Sequence, residues 1–181
     1  MKYDEVMLET AELWASQSYC ERRKVGCVIA KDGRIVSIGY NGTLPGTPNE
    51  CEEQYTTCPN CGRKHGVDEY KSNPIGIGKY MIKCECGTEL HADNNFLSTL
   101  PLVTNNLTMH AEQNALSFCT KNGISTNGCT IYITTSPCEQ CSKLLAASGI
   151  ERVVYRDEYK ITKGLDMLRS LDIEVIHLPG E

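Results

Sequence analysis

In this 181-residue chain, His110, Glu112, Cys138 and Cys141 are the side chains whose types and spacing can do chemistry together. One imidazole and two thiolates suit Zn²⁺, and three protein ligands leave the fourth tetrahedral position to water. The two thiolates cancel the charge of the ion. Cys138 and Cys141 stand at i and i+3, so one turn of helix can aim both sulfurs at one metal. Each ligand falls where a helix is expected to begin, and helix N-termini favour thiolates through their free N–H groups and dipole. Pro137 suits a position at or just before a first turn, where a missing N–H is not needed. Glu112 lies two residues from His110, and the ligand set is complete without it. Its expected role is proton shuttle, beside a water whose pKa zinc lowers from about 15.7 toward about 7. A purely structural zinc site has no use for a carboxylate so placed.

Cysteine is over-represented elsewhere too. Eleven is an odd number, so a complete set of internal disulfides is impossible. The start, Met1-Lys2-Tyr3-Asp4-Glu5, has neither the basic region nor the apolar run of an export signal. Reduced thiols in a cytoplasmic protein are therefore expected, and close-spaced pairs point to metal. Cys58-Pro59-Asn60-Cys61-Gly62 and Cys84-Glu85-Cys86-Gly87 each resemble a zinc knuckle, in which glycine after the second cysteine frees N–H groups to point at sulfur. The second is one residue shorter than the first. Four thiolates close a structural site, and Cys51, His65 or His91 can each replace one of them. The segment has few large apolar residues to offset an ordering entropy of about 1–2 kcal/mol per residue. Structural zinc supplies roughly 10–16 kcal/mol. Such an insert can brace a substrate mouth or form a subunit contact.

The elements that must hold these residues read as follows. Residues 2–18 form an amphipathic helix, with Met7, Ala11 and Trp14 on one face, Val6 and Leu13 flanking, and Trp14 as core anchor. Val25–Ala30 and Arg34–Tyr40 are strands joined by Lys31-Asp32-Gly33 as a hairpin. Residues 41–109 are rich in Pro, Gly, Asn and Cys, and weakly periodic; a structureless loop of that length is rare, so something must organise it. Then come a helix at 111–121 (Ala111, Ala115 and Phe118 inward), a strand at 129–135 and a helix at 138–148 stopped by Gly149. A strand at 151–155, a helix at 161–170 and a strand at 173–177 complete the chain. Strand–helix alternation argues for a mixed sheet with parallel strands and covering helices, an α/β fold. The chain is expected to be a single domain, 1–181, with residues 51–91 inserted in it. Cys27, Cys119 and Cys129 read as small buried hydrophobes. Tyr132 and Tyr155 read as core or site wall, and His177 as a surface residue.

A net charge of −5 and a pI near 5.4 argue against a grip on a nucleic-acid polymer. No apolar run approaches the roughly 20 residues of a membrane span.

The order H-x-E…P-C-x-x-C matches the signature of zinc nucleobase deaminases. The chain resembles the deoxycytidylate (dCMP) deaminases of the cytidine deaminase superfamily over about residues 1–50 and 108–179. Four stretches carry the likeness: Val25-Gly26-Cys27-Val28-Ile29, Gly39-Tyr40-Asn41-Gly42-Thr43, His110 to Ala115, and Thr135 to Cys138 running on to Gly149–Tyr155. The resemblance implies a three-layer α/β/α fold and zinc-dependent attack at C4 of a cytosine ring, turning dCMP into dUMP and ammonia for thymidylate synthesis. It implies regulation by dCTP and dTTP with Mg²⁺, and a homohexamer. It also implies that Asn41 bonds the deoxyribose and that Ala111 and Ser136 offer backbone groups to the base. The Gly39–Gly46 loop, with Tyr40, Asn41 and Gly42, would take the effector. Asn41-Gly42 read alone can also be an ordinary turn, and Asn114 either braces the site or caps a loop. The phosphate needs cations; Arg22, Arg23 and Lys24, or Arg152 and Arg156, are the candidates. The competing activities are deamination of cytidine, a tRNA adenosine or an aminopyrimidine. From another class, a non-catalytic zinc protein that binds nucleotides or partners also fits parts of the pattern.

Overall fold

Strands β1 (Gly26–Lys31) and β2 (Arg34–Tyr40) pair antiparallel through Asp32-Gly33, whose φ angles of 50° and 75° match the two-residue turn that suits strand twist. The computed structural model describes residues 3–159 and 162–180. It divides into two compact units, Glu52–Asn106 and the remainder. The larger unit continues with α1 (Asp4–Ala15), α2 (Ala111–Lys121), β3 (Cys129–Thr135), α3 (Glu139–Ala147), β4 (Ile150–Asp157), α4 (Lys163–Ser170) and β5 (Glu174–His177). These five strands form one sheet in the order β5-β4-β3-β1-β2. Strands β3, β4 and β5 are parallel, as the strand–helix alternation predicts, and β1 is antiparallel to both neighbours.

Alternation within the strands divides the core into two. Cys27, Ile29, Ile131, Ile133 and Val153 face α2, α3 and α4. Val28, Ala30, Tyr132 and Val154 face α1. The result is the expected three-layer α/β/α arrangement. Cys27, Cys119 and Cys129 are buried within it. Tyr155 is buried too, with the exposed His177 ring stacked on it at 4.8 Å.

In two helices Met7, Ala11, Ala111 and Ala115 are buried as the sequence suggests, but the buried face is rotated away from Trp14 and Phe118. In α1 the buried residues are Asp4, Met7, Leu8, Ala11 and Ala15, while Val6 and Leu13 are exposed. Trp14 is half-buried and stacks on Tyr40 rather than anchoring the core. In α2, Leu116 and Cys119 are buried and Phe118 is exposed. The cause is close backbone approach. A Cβ at Gly26 would lie 2.0 Å from Ala11 O, and one at Gly39 would lie 2.2 Å from Ala111 O. Helices this near a sheet must present alanine to it. The expected extensions of the first and last helices to Lys2 and Ile161 lie outside the described residues.

The smaller unit runs beyond the expected 51–91, because a helix at Asn94–Thr99 brings Leu97 into its core beside Tyr70 and Ile82. These three are its buried cluster, together with partly buried neighbours. Strands Tyr55–Thr57 and Lys64–Gly66 form one hairpin; Pro74–Gly76, Lys79–Lys83 and Glu89–Asp93 form a three-stranded meander. Against the expectation of thiols reduced throughout, Cys20 and Cys51 are joined as a disulfide, their Cα atoms 5.1 Å apart. That spacing lies in the ordinary disulfide range. No sequence motif links two cysteines 31 residues apart. Among the described residues no helix is long and apolar enough to cross a membrane.

Candidate active site

His110 is the N-cap of α2 and Cys138 the N-cap of α3, with Cys141 in the first turn of the same helix. The Nδ1 of His110 lies 3.6 Å from Cys138 Sγ and 3.4 Å from Cys141 Sγ. Donors around one tetrahedral zinc are spaced about 3.5 Å apart for N and S, from bond lengths of about 2.05 and 2.3 Å, so the three side chains fit the ion. His110 is exposed, Cys138 half-buried and Cys141 buried, which leaves the cluster open on one side. Hydrogen bonds from Cys141 and His110 push the Cys138 thiol down to about 3. Glu112 is buried beside these groups, and its burial raises its carboxyl above the usual range. A raised carboxyl is the direction expected of a group that must both accept and return a proton.

One holding contact was not expected from the sequence. The Gln113 side chain accepts the His110 backbone N–H at 2.8 Å, half of a capping box with histidine in the cap position. The H-A-E-Q spacing carries that signal. Asn114 donates from Nδ2 to Tyr40 O at 2.6 Å, so of its two readings the brace holds: it ties α2 to the end of β2.

The second cluster gathers Cys58, Cys61, Cys84 and Cys86, with all four sulfurs within 4.8 Å of one another. Cys58–Cys86 is 3.6 Å and Cys61–Cys84 is 3.4 Å, near the roughly 3.8 Å of sulfurs around one zinc. Gly62 and Gly87 have φ of 76° and 89°, the left-handed turn that each knuckle requires. Gly62 N–H donates to Cys58 O and Gly87 N–H to Cys84 O. An ion pair between Arg63 and Glu85 spans the two knuckles. Thr88 pushes the Cys86 thiol down to about 5. The alternative ligands are elsewhere: Cys51 is in the disulfide, His65 is buried against Glu69 at 3.0 Å, and His91 is exposed beside Glu89.

Other candidates are already engaged. Asn41 Oδ1 accepts from Val25 N–H and its Nδ2 donates to Arg23 O, which leaves one amide hydrogen. Ser136 N–H goes to Asp157 O, and its hydroxyl accepts from Tyr159 N–H, which leaves its carbonyl. Gly39 is filled by α2, Gly42 pairs with Met109, and Gly46 turns the loop with φ of 89°. Arg22, Arg23 and Lys24 lie on an exposed connector. The other two phosphate candidates are structural. Arg152 forks onto buried Asp4 at 2.9 and 2.7 Å, and Arg156 bonds Glu5, Glu12 and Leu178 O.

A mixed-sheet α/β/α core with a His-Cys-Cys donor set and a buried glutamate at paired helix N-termini defines a metal-dependent deaminase. Residues 1–157 match the family model "Cytidine and deoxycytidylate deaminase zinc-binding region", and the chain belongs to that family. It is 34% identical over 177 residues to the deoxycytidylate deaminase of Enterobacteria phage T4, covering 96% of this chain and 88% of that one. Against the phage T2 enzyme the identity is 36% over 180 residues, covering 96% and 90%. The crystal structure of dCMP deaminase from cyanophage S-TIM5, in complex with dCMP and dUMP, superposes with a TM-score of 0.68 at 32% identity, covering 98% and 97%.

Proposed function

We propose that this protein hydrolyses dCMP to dUMP and ammonia, with Glu112 as the catalytic acid–base and His110, Cys138 and Cys141 as zinc ligands. The observation that carries the reading is three donors spaced for one ion with a buried, raised carboxyl beside them. The similarity to dCMP deaminases, one of them crystallised with dCMP and dUMP, supports the substrate. When bound, zinc supplies Lewis acidity that brings the pKa of water toward neutrality. Glu112 takes a proton from the attacking water and delivers it to N3 of the ring. A second transfer through the same carboxyl protonates the amine, which leaves C4 as ammonia while C4 becomes a carbonyl. The Ala111 N–H and Ser136 carbonyl are the backbone groups assigned to the base, and the remaining Asn41 amide hydrogen to the sugar.

The four-thiol cluster is proposed to hold a second, structural zinc, which its sulfur spacing supports. The free thiols of both centres support the expected cytoplasmic location, and the Cys20–Cys51 disulfide runs against it. A dCTP or dTTP effector with Mg²⁺ at residues 39–46, and a homohexamer, rest on family resemblance. A hyperbolic dCMP curve that dCTP leaves unaltered defeats the effector reading. Ammonia release across dCMP, CMP, deoxycytidine and dCTP tests the activity. Turnover of dCMP above the other three supports it, and no release from dCMP overturns it.

A further inference from the structure

Gly164 occupies the first turn of α4, where backbone geometry makes no demand for glycine and alanine is favoured by about 1 kcal/mol. The demand comes from across the helix pair. A Cβ at Gly164 would lie 2.5 Å from Ser142 Oγ, 3.0 Å from Pro137 O and 3.2 Å from the carbonyl carbon of Cys138. Ser142 is fully buried, and among the described residues no hydrogen bond holds its hydroxyl in place. The Pro137–Cys138 backbone is flanked by such bonds. Ser136 N–H is fixed to Asp157 O at 2.8 Å, and Cys138 O accepts from Ser142 N–H at 2.9 Å. Helix α4 is the third wall of that turn, and it is seated in the core through buried Leu165 and Leu168.

We propose that Gly164 is a positioning residue for the Cys138 thiolate: its missing side chain sets the gap in which the ligand-bearing turn lies. This rests on the reading that His110, Cys138 and Cys141 hold zinc. Beyond the Ser142 hydroxyl an added methyl meets backbone, and displacement of that backbone moves the Cys138 sulfur relative to His110 and Cys141. Groups that orient metal ligands typically change affinity by about 10–100-fold when altered.

The test compares wild type, Gly164→Ala, the double variant Ser142→Gly/Gly164→Ala and Leu168→Val. Each is titrated with Co²⁺ and with Zn²⁺ against a chelator, and Cys138→Ser supplies the spectrum of the other thiolate cluster for subtraction. Gly164→Ala is expected to weaken zinc about 10–100-fold and to shift the thiolate-to-cobalt absorption. The double variant is expected to behave the same, because Pro137 and Cys138 still block the methyl. Leu168→Val is expected to melt earlier with wild-type metal affinity. Unchanged cobalt spectra and zinc affinity in Gly164→Ala overturn the proposal, as does full recovery in the double variant. Loss of affinity in Leu168→Val also overturns it, even where Gly164→Ala does not fold, because loose helix packing then suffices. Wild type that shows no metal signal removed by Cys138→Ser overturns the underlying zinc reading instead.

Discussion

At one centre of this chain two thiols and an imidazole stand on helix N-termini beside a five-stranded sheet packed on both faces. At the other, four thiols stand on two hairpin turns in a unit whose buried cluster is Tyr70, Ile82 and Leu97. The difference follows from where each unit gets its stability. A large apolar core holds the first donor set in place without metal, so it can stay one ligand short and keep an open position for chemistry. The second unit buries too little to order itself. Its four thiols form a closed donor set, and the zinc proposed there would supply folding energy.

The sharpest way to break this comparison is to remove thiols from the second centre. Cys58→Ser/Cys61→Ser is expected to reduce zinc from two per chain to one and to abolish hydrogen-exchange protection across 52–106. The metal energy removed is about 10–16 kcal/mol. The larger unit should keep its metal. A count that stays at one in both wild type and variant removes the second site.

A smaller effect is expected from Asp4→Asn in the larger unit. Burial of Asp4 opposes its charge, but hydrogen bonds from Arg152 and Tyr132 outweigh it and hold the carboxyl well below the usual range. Its contribution is therefore complete above the unfolded value of about 3.9. It is lost as pH falls toward the lower folded value. Breaking this buried pair is expected to cost about 3–5 kcal/mol at pH 7 and to flatten the acid limb of the stability curve. Thermal melts from pH 7 to 2 read both, and an unchanged acid limb contradicts the assignment. Gln113→Ala should do least. Loss of the bond to the His110 N–H costs about 1 kcal/mol, seen as a small drop in melting temperature with zinc retained.

Much of the active site was legible because its signals are local. His110, Glu112, Pro137, Cys138 and Cys141 declare themselves by type and spacing, and the succession of strands and helices along the chain followed from the hydrophobic runs. The knuckles were legible for the same reason. What escaped depends on distant backbone. Trp14 and Phe118 look inward by periodicity, yet Gly26 and Gly39 draw alanines against the sheet instead. Arg152 and Arg156 look like phosphate ligands until the fold brings Asp4, Glu5 and Glu12 to them. Gly164 gives no signal at all without the turn it faces.

The central claim is that Glu112 does the proton transfer while three other residues hold the metal. The direct measurement is zinc content and ammonia release from dCMP in one preparation of Glu112→Ala. The account predicts zinc at the wild-type level with turnover reduced by about 10²–10⁴-fold or more. Ammonia release near the wild-type rate from that zinc-loaded variant would contradict it.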